Sequence, residues 1–125
     1  MKDEHDRVIE EVKKQYEAIL KESKHPVYIY LDDMHKFCNE KFASMLGYGS
    51  ADEWASLGGF FTGAFVEEQS QHTLVTAYRE AMESKIGSCI DITWKKTGGH
   101  VKTNVILVPV GVGGELLALH FVSTA

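Results

Sequence analysis

The stretch from 87 to 122 constrains the fold more than any other part of the chain. It holds three β-type segments, at 87–95, 101–110 and 116–122, separated by Lys-Thr-Gly-Gly-His at 96–100 and Gly-Val-Gly-Gly at 111–114. The first segment alternates Ile90, Ile92 and Trp94 against Asp91 and Thr93, the period of two that a strand with one wet face requires. The other two are apolar on both faces, at Val105-Ile-Leu-Val108 and Leu116-Leu-Ala-Leu119. That pattern predicts a sheet covered on both sides. Short glycine-bearing links between the segments predict antiparallel hairpins.

Upstream, 27–31 is rich in β-branched and aromatic residues and predicts a strand, Asp32 and Asp33 a turn, and 35–38 a short second strand. Asn39 suits the N-cap of a short helix with Phe42, Met45 and Leu46 on one face, and Gly47 suits its C′ position. Ser50-Ala-Asp-Glu53 matches a capping box for another short helix presenting Trp54 and Leu57. The run 58–65, with three glycines and three phenylalanines, predicts a flexible aromatic loop. The long helix is expected at 66–84, with Glu67 and Glu68 in its first turn and Leu74, Val75, Tyr78, Ala81 and Met82 as its apolar stripe. Two strands before the helices and three after predict an α+β fold: one five-stranded antiparallel sheet with helices on one face.

Residues 3–23 predict an additional charged amphipathic helix, ended by Pro26. Ile9, Val12, Tyr16 and Ile19 recur as an a/d seam, and acids precede bases at Asp3/Arg7, Glu10/Lys14 and Glu17/Lys21. Two readings stay open: a helix laid on its own domain, or one strand of a two-stranded coiled coil. The late strands need a cover on the face away from the long helix, and this is the amphipathic element left to supply it. The chain therefore divides into a signalling or dimerisation helix at 1–24 and a domain at 25–125, with a homodimer through that helix and the sheet face as the expected assembly.

A length of 125 residues fits one domain with an ordinary core. The net charge of −5, with no lysine or arginine cluster, argues against nucleic acid as a partner. The N-terminus lacks the apolar region of a signal peptide, and no run is long enough to span a membrane, so a cytoplasmic protein is expected. Cys38 and Cys89 are far apart and read as two reduced thiols.

The ten residues Asn39-Glu-Lys-Phe-Ala-Ser-Met-Leu-Gly-Tyr48 resemble the signature of PAS domains, in which a strand ends in Asn and a short helix ends in Leu-Gly-Tyr. Trp54, the long helix and the three-stranded ending match that family in order and spacing, over about 25–123. One departure stands out: the family's first hairpin carries Asp-x-x-Gly, whereas this chain has Asp32-Asp-Met-His35. The resemblance implies a PAS fold and a non-catalytic sensory role beside a histidine kinase, cyclase or transcription regulator. It also implies either a haem, flavin or small metabolite held between sheet and long helix, or a module that only dimerises.

Individual residues sharpen those implications. His72 stands where haem-binding members carry an iron ligand, but it falls about 120° from the centre of the helix's apolar stripe, beside Glu68 and Arg79. Porphyrin needs an apolar wall, so a solvated histidine is the simpler reading. The run 60–65 has no cysteine for covalent flavin chemistry. Phe42, Trp54, Phe61, Tyr78 and Trp94 are candidates to line a small-molecule pocket, or are simply core, with the loop 58–65 as its gate. Asp32, Asp33 and His35 read as turn residues, zinc spacings are absent, and no metal ligand is assigned. Neither a nucleophile elbow nor a phosphate-binding glycine loop is present, so a small α+β enzyme is the weaker alternative.

Overall fold

The structure, a computed structural model, describes residues 3–124. In chain order the elements are α1 (Glu4–Gln15), α2 (Glu17–Glu22), β1 (Val27–Asp32), β2 (His35–Cys38), α3 (Glu40–Leu46), α4 (Ala51–Ser56), α5 (Phe61–Phe65), α6 (Glu68–Ser84), β3 (Ser88–Lys96), β4 (Gly99–Val112) and β5 (Glu115–Thr124). The strands form one antiparallel sheet in the order β2-β1-β5-β4-β3. The first strand thus pairs with the last, and β5 sits at the centre.

The Asn39 side chain stitches the start of the domain together. Its Oδ1 accepts the N–H of Phe42, capping α3, and also the N–H of Val27 at the start of β1, each at 3.0 Å. Its Nδ2 donates to the carbonyl of His25. One buried amide so fixes where β1 begins, where β2 ends and where α3 starts. At the other end of α3, Gly47 is left-handed (φ 91°). A β-carbon there would lie 2.5 Å from Thr97 Oγ1, because the β3–β4 turn packs on this helix end and Thr97 N–H donates to the Leu46 carbonyl at 3.1 Å. Ser50 caps α4 by accepting from Glu53 N–H, while the Glu53 carboxylate turns to Gly49 N–H.

The two faces of the sheet differ in what covers them. On the inner face Tyr28, Cys38, Trp94, Val105, Leu107 and Val122 pack against α3, α4, α5 and α6. On the outer face Val27, Ile29, Leu31, Phe37, Leu117 and Leu119 pack against Val8, Ile9 and Val12 of α1. Alternate residues of β1 and β5 therefore enter two separate cores, which is why their sequences lack polar alternation. The large buried side chains of α1 each contribute about 1.5–3 kcal/mol.

Four expectations need correction. The single helix at 3–23 is broken at Tyr16 (φ −105°, ψ 14°) into α1 and α2. The break rotates the following turn, so the seam stops: Val8 is buried beside Ile9 and Val12, Tyr16 is half-buried, and Ile19 is exposed. The loop at 58–65 ends in a helical turn, α5, because Phe61 and Phe65 are four residues apart and both bury. The long helix starts at Glu68, since Val66 bridges to Trp94 and Glu67 N–H donates to the Thr93 carbonyl. Its buried stripe is Leu74, Ala77 and Ala81, with Val75 turned outward. Finally, α1 covers β1, β5 and the Val112 end of β4 but leaves Ile106 exposed, so β4 is not covered on both faces throughout.

Candidate functional site

The inner face encloses a cavity of about 190 Å³ between β1, β5, α5 and α6. Its floor is a stack: Tyr28 of β1 lies flat on His120 of β5, with ring centroids 3.8 Å apart and planes 8° from parallel. The pairing of β1 with β5 places Tyr28 directly opposite His120, so the stack is set by strand register. Phe61 covers Tyr28 at 5.5 Å from the α5 side. Leu74 and Tyr78 of α6 form the wall, and Phe60 and Val75, both exposed, stand at the mouth.

Polar groups on this lining fall into two kinds. Tyr30 donates to Asp33 Oδ1 at 2.7 Å, the same oxygen accepts the N–H of Phe61, and the Tyr78 hydroxyl donates to the Leu31 carbonyl. Asp33 thereby ties the first hairpin to the start of α5. By contrast, Tyr28 Oη and His120 Nδ1 are buried without a protein partner. Burial holds the Tyr28 phenol well above its ordinary range, so it stays protonated and available as a donor. Burial also pushes the His120 imidazole down to about 3, only partly offset by the backbone of Tyr28 and Ala118, so the ring is neutral. An unpaired buried hydroxyl or imidazole nitrogen costs about 1–3 kcal/mol, so such atoms call for a partner.

Of the five pocket candidates named from sequence, Phe61 and Tyr78 line the cavity. Phe42, Trp54 and Trp94 are fully buried beneath it, the two tryptophans in edge contact with Tyr28 and Phe42 tilted against it at 4.7 Å. Trp94 is satisfied by Thr103 Oγ1. His72 is exposed on α6, in a shallow groove with Ser88 and Ile90, and does not face the cavity. Its surroundings do not fit a haem ligand, and drug-sized ligands already need about 300–1,000 Å³, so a porphyrin or flavin exceeds this cavity. Tyr28 and His120 were missed as site residues; a single histidine in the apolar run Leu-Ala-Leu-His-Phe-Val was the signal available. Cys38 is a buried thiol that burial pushes up to about 12, and Cys89 is exposed and also free.

A second cluster lies at the outer end of the first hairpin. Asp32 and His35 meet His5 and Asp6 of α1, about thirty residues away in sequence, and the side chains are within hydrogen-bond distance of one another. The turn residues set aside from sequence thus gain partners that spacing could not reveal.

The fold and its strand order are those of PAS domains. A PAS domain from a two-component sensor histidine kinase superposes with a TM-score of 0.65 at 12% identity, covering 93% of this chain and 99% of that one. The PAS domain of nitrogen regulation protein NR(II) from Vibrio parahaemolyticus gives 0.66 at 14%, covering 86% and 95%. The N-terminal domain of a diguanylate cyclase with PAS/PAC sensor from Marinobacter aquaeolei gives 0.59 at 14%, covering 81% and 94%. No family model matches the sequence, and no curated protein matches it closely in sequence. Among the described residues, no helix is long and apolar enough to cross a membrane.

Proposed function

We propose that the chain is a non-catalytic sensory module that binds a small, flat, uncharged ligand on the Tyr28–His120 stack. The observation that carries this reading is the pair of buried polar atoms without a protein partner, Tyr28 Oη and His120 Nδ1, on residues that line one aromatic cavity. A volume of about 190 Å³ is somewhat larger than a cavity of ~150 Å³ that takes up benzene, so the ligand is one substituted ring rather than a large cofactor. It carries an acceptor for the Tyr28 hydroxyl and a complementary group for His120 Nδ1. Structural neighbours drawn from a sensor histidine kinase and a diguanylate cyclase support a place in signal transduction.

The test is a thermal-shift screen of monocyclic aromatic and heteroaromatic compounds, with mass spectrometry of the purified protein for a retained molecule. A hit that raises the melting temperature, and loses at least tenfold in affinity in Tyr28→Phe, supports the reading. No hit and no retained molecule would sink it.

A homodimer is a further proposal, favoured by one observation: the sheet's outer face leaves Ile106 exposed where α1 ends its cover. Molar mass by light scattering, compared with Ile106→Lys, decides it; a monomer at high concentration ends the proposal.

A further inference from the structure

The cluster beside α1 has the layout of a metal site. His5 and His35 aim their Nδ1 atoms at the two oxygens of one carboxylate: His5 Nδ1 is 2.5 Å from Asp32 Oδ2, and His35 Nδ1 is 2.7 Å from Asp32 Oδ1. Behind each ring stands a second carboxylate. His35 Nε2 is 2.7 Å from Asp6 Oδ1, and His5 Nε2 is 3.8 Å from Glu115 Oε1. Asp3 Oδ1 lies 3.8 Å from His35 Nε2. The donor atoms of His5, Asp32 and His35 all fall within 4.8 Å of one another.

Turn chemistry accounts for Asp32, whose Oδ1 accepts the N–H of Met34. It does not account for an imidazole delivered by a different element to the other oxygen, nor for a carboxylate behind each ring. In metal sites that outer carboxylate holds the far ring N–H, fixes the tautomer and leaves the inner nitrogen lone pair free to coordinate. Four carboxylates face two imidazoles, and one divalent cation on neutral rings supplies the two positive charges that two imidazolium ions would otherwise bring. Two imidazoles and one carboxylate suit zinc and similar divalent transition ions, whereas calcium and magnesium favour oxygen ligands throughout. His5 and Asp32 are over one-third exposed and His35 is 15% exposed, so the site opens to solvent on one side and has room for a water ligand.

We propose that His5, Asp32 and His35 bind one divalent transition-metal ion of the zinc class, with Asp6 orienting the His35 ring and Glu115 standing as a nearby charge behind His5. The ion takes the place of the protons on the two Nδ1 atoms, so binding releases protons and weakens in acid. Because His5 belongs to α1 and Asp32 and His35 to the first hairpin, the ion staples the N-terminal helix to the domain, independently of the cavity.

Isothermal titration of the full chain, stripped with EDTA, with zinc chloride tests this. One equivalent is expected to bind with a rise in melting temperature, and cobalt chloride is expected to give the visible absorption of a nitrogen- and oxygen-ligated ion. His5→Gln and His35→Gln should each weaken zinc at least tenfold and Asp6→Asn about tenfold or more. His72→Gln, on an exposed face of α6, should change nothing. His5→Gln replaces an exposed side chain, and its far-ultraviolet spectrum reports that the fold is retained. No saturable zinc binding, or binding that persists unchanged in both histidine variants, overturns the site. Failure to take up zinc or cobalt at any pH from 6 to 9 also overturns it, and the pH dependence of the metal-free protein then reports a latch held by protons alone.

Discussion

The two faces of the sheet are built from the same strands and follow opposite rules. Outward, β1 and β5 present Val27, Ile29, Leu31, Leu117 and Leu119, branched aliphatic chains filled in by Val8, Ile9 and Val12. Inward, the alternating partners are Tyr28, Tyr30, Ala118 and His120, which leave a cavity and two unpartnered polar atoms. Beneath α1 the outer face is dry and closely filled, as a core built for stability should be. On the inner face some stability is given up to keep a shaped, polar floor, which is where binding is expected. A period of two lets one strand serve both ends without compromise.

Removing the outer cover should have the largest effect. Deleting 1–24 strips Val8, Ile9 and Val12 from that face and exposes a contiguous apolar patch. At about 1.5–3 kcal/mol per side chain, the melting temperature should fall by at least about 15 °C, or the protein should aggregate. A truncated chain that stays soluble and melts like the full one would show that α1 is not needed as a cover. A smaller effect separates the two faces within one strand. Ile29→Ala should destabilise by about 2–5 kcal/mol, since it opens a void in a filled core. In ligand-free protein, Tyr28→Phe should be neutral or stabilising by about 1–3 kcal/mol, because it deletes an unsatisfied hydroxyl. Equal losses in urea unfolding of the two variants would erase the contrast.

The smallest effect concerns the edge of the outer face. The hydrogen bond to Asp32 raises the His5 imidazole above its ordinary value; at His35 burial pulls downward but Asp32 and Asp6 outweigh it, so it is raised as well. The hydrogen bond from His35 lowers Asp6; at Asp32 burial pushes upward but the two imidazoles and the Met34 N–H outweigh it. A raised imidazole contributes stability in full below 6.5 that is lost as pH climbs through its folded value. A lowered carboxylate contributes stability above 3.8 that is lost as pH falls through its folded value. In metal-free protein, docking of α1 should therefore be firmest in mild acid and loosen toward alkaline pH. Hydrogen exchange of α1 amides between pH 5 and 9, corrected for intrinsic rate, should show this slope, and His35→Gln should flatten it. A slope unchanged in that variant would assign it elsewhere.

How much of this the sequence disclosed depends on how local each cause is. The strands, the caps at Asn39 and Ser50 and the left-handed Gly47 follow from neighbours within a few positions, and the structure places them as expected. The break at Tyr16 has no proline or glycine to announce it, so the a/d seam ran on to Ile19. The turn at Phe61–Phe65 was hidden by its glycines, since what makes it helical is burial of two rings in a core assembled elsewhere. Tyr28 and His120 become a pair only through pairing of the first strand with the last, and His5 meets Asp32 only because α1 crosses the outer face. Sites made by long-range register leave little trace in local pattern.

The meeting of Gly47 with Thr97 has a consequence for how such a chain can change over generations. Gly98 is also left-handed, but nothing lies within 4 Å of where its β-carbon would be, so asparagine could take its place at modest strain. At Gly47 two separate vetoes coincide: the handedness disfavours any side chain, and the Thr97 side chain already fills the space one would need. A chain that loses this glycine must change Thr97 as well before the strain alone can be tolerated. The position is thus closed to single steps, and drift along this lineage has to go around it.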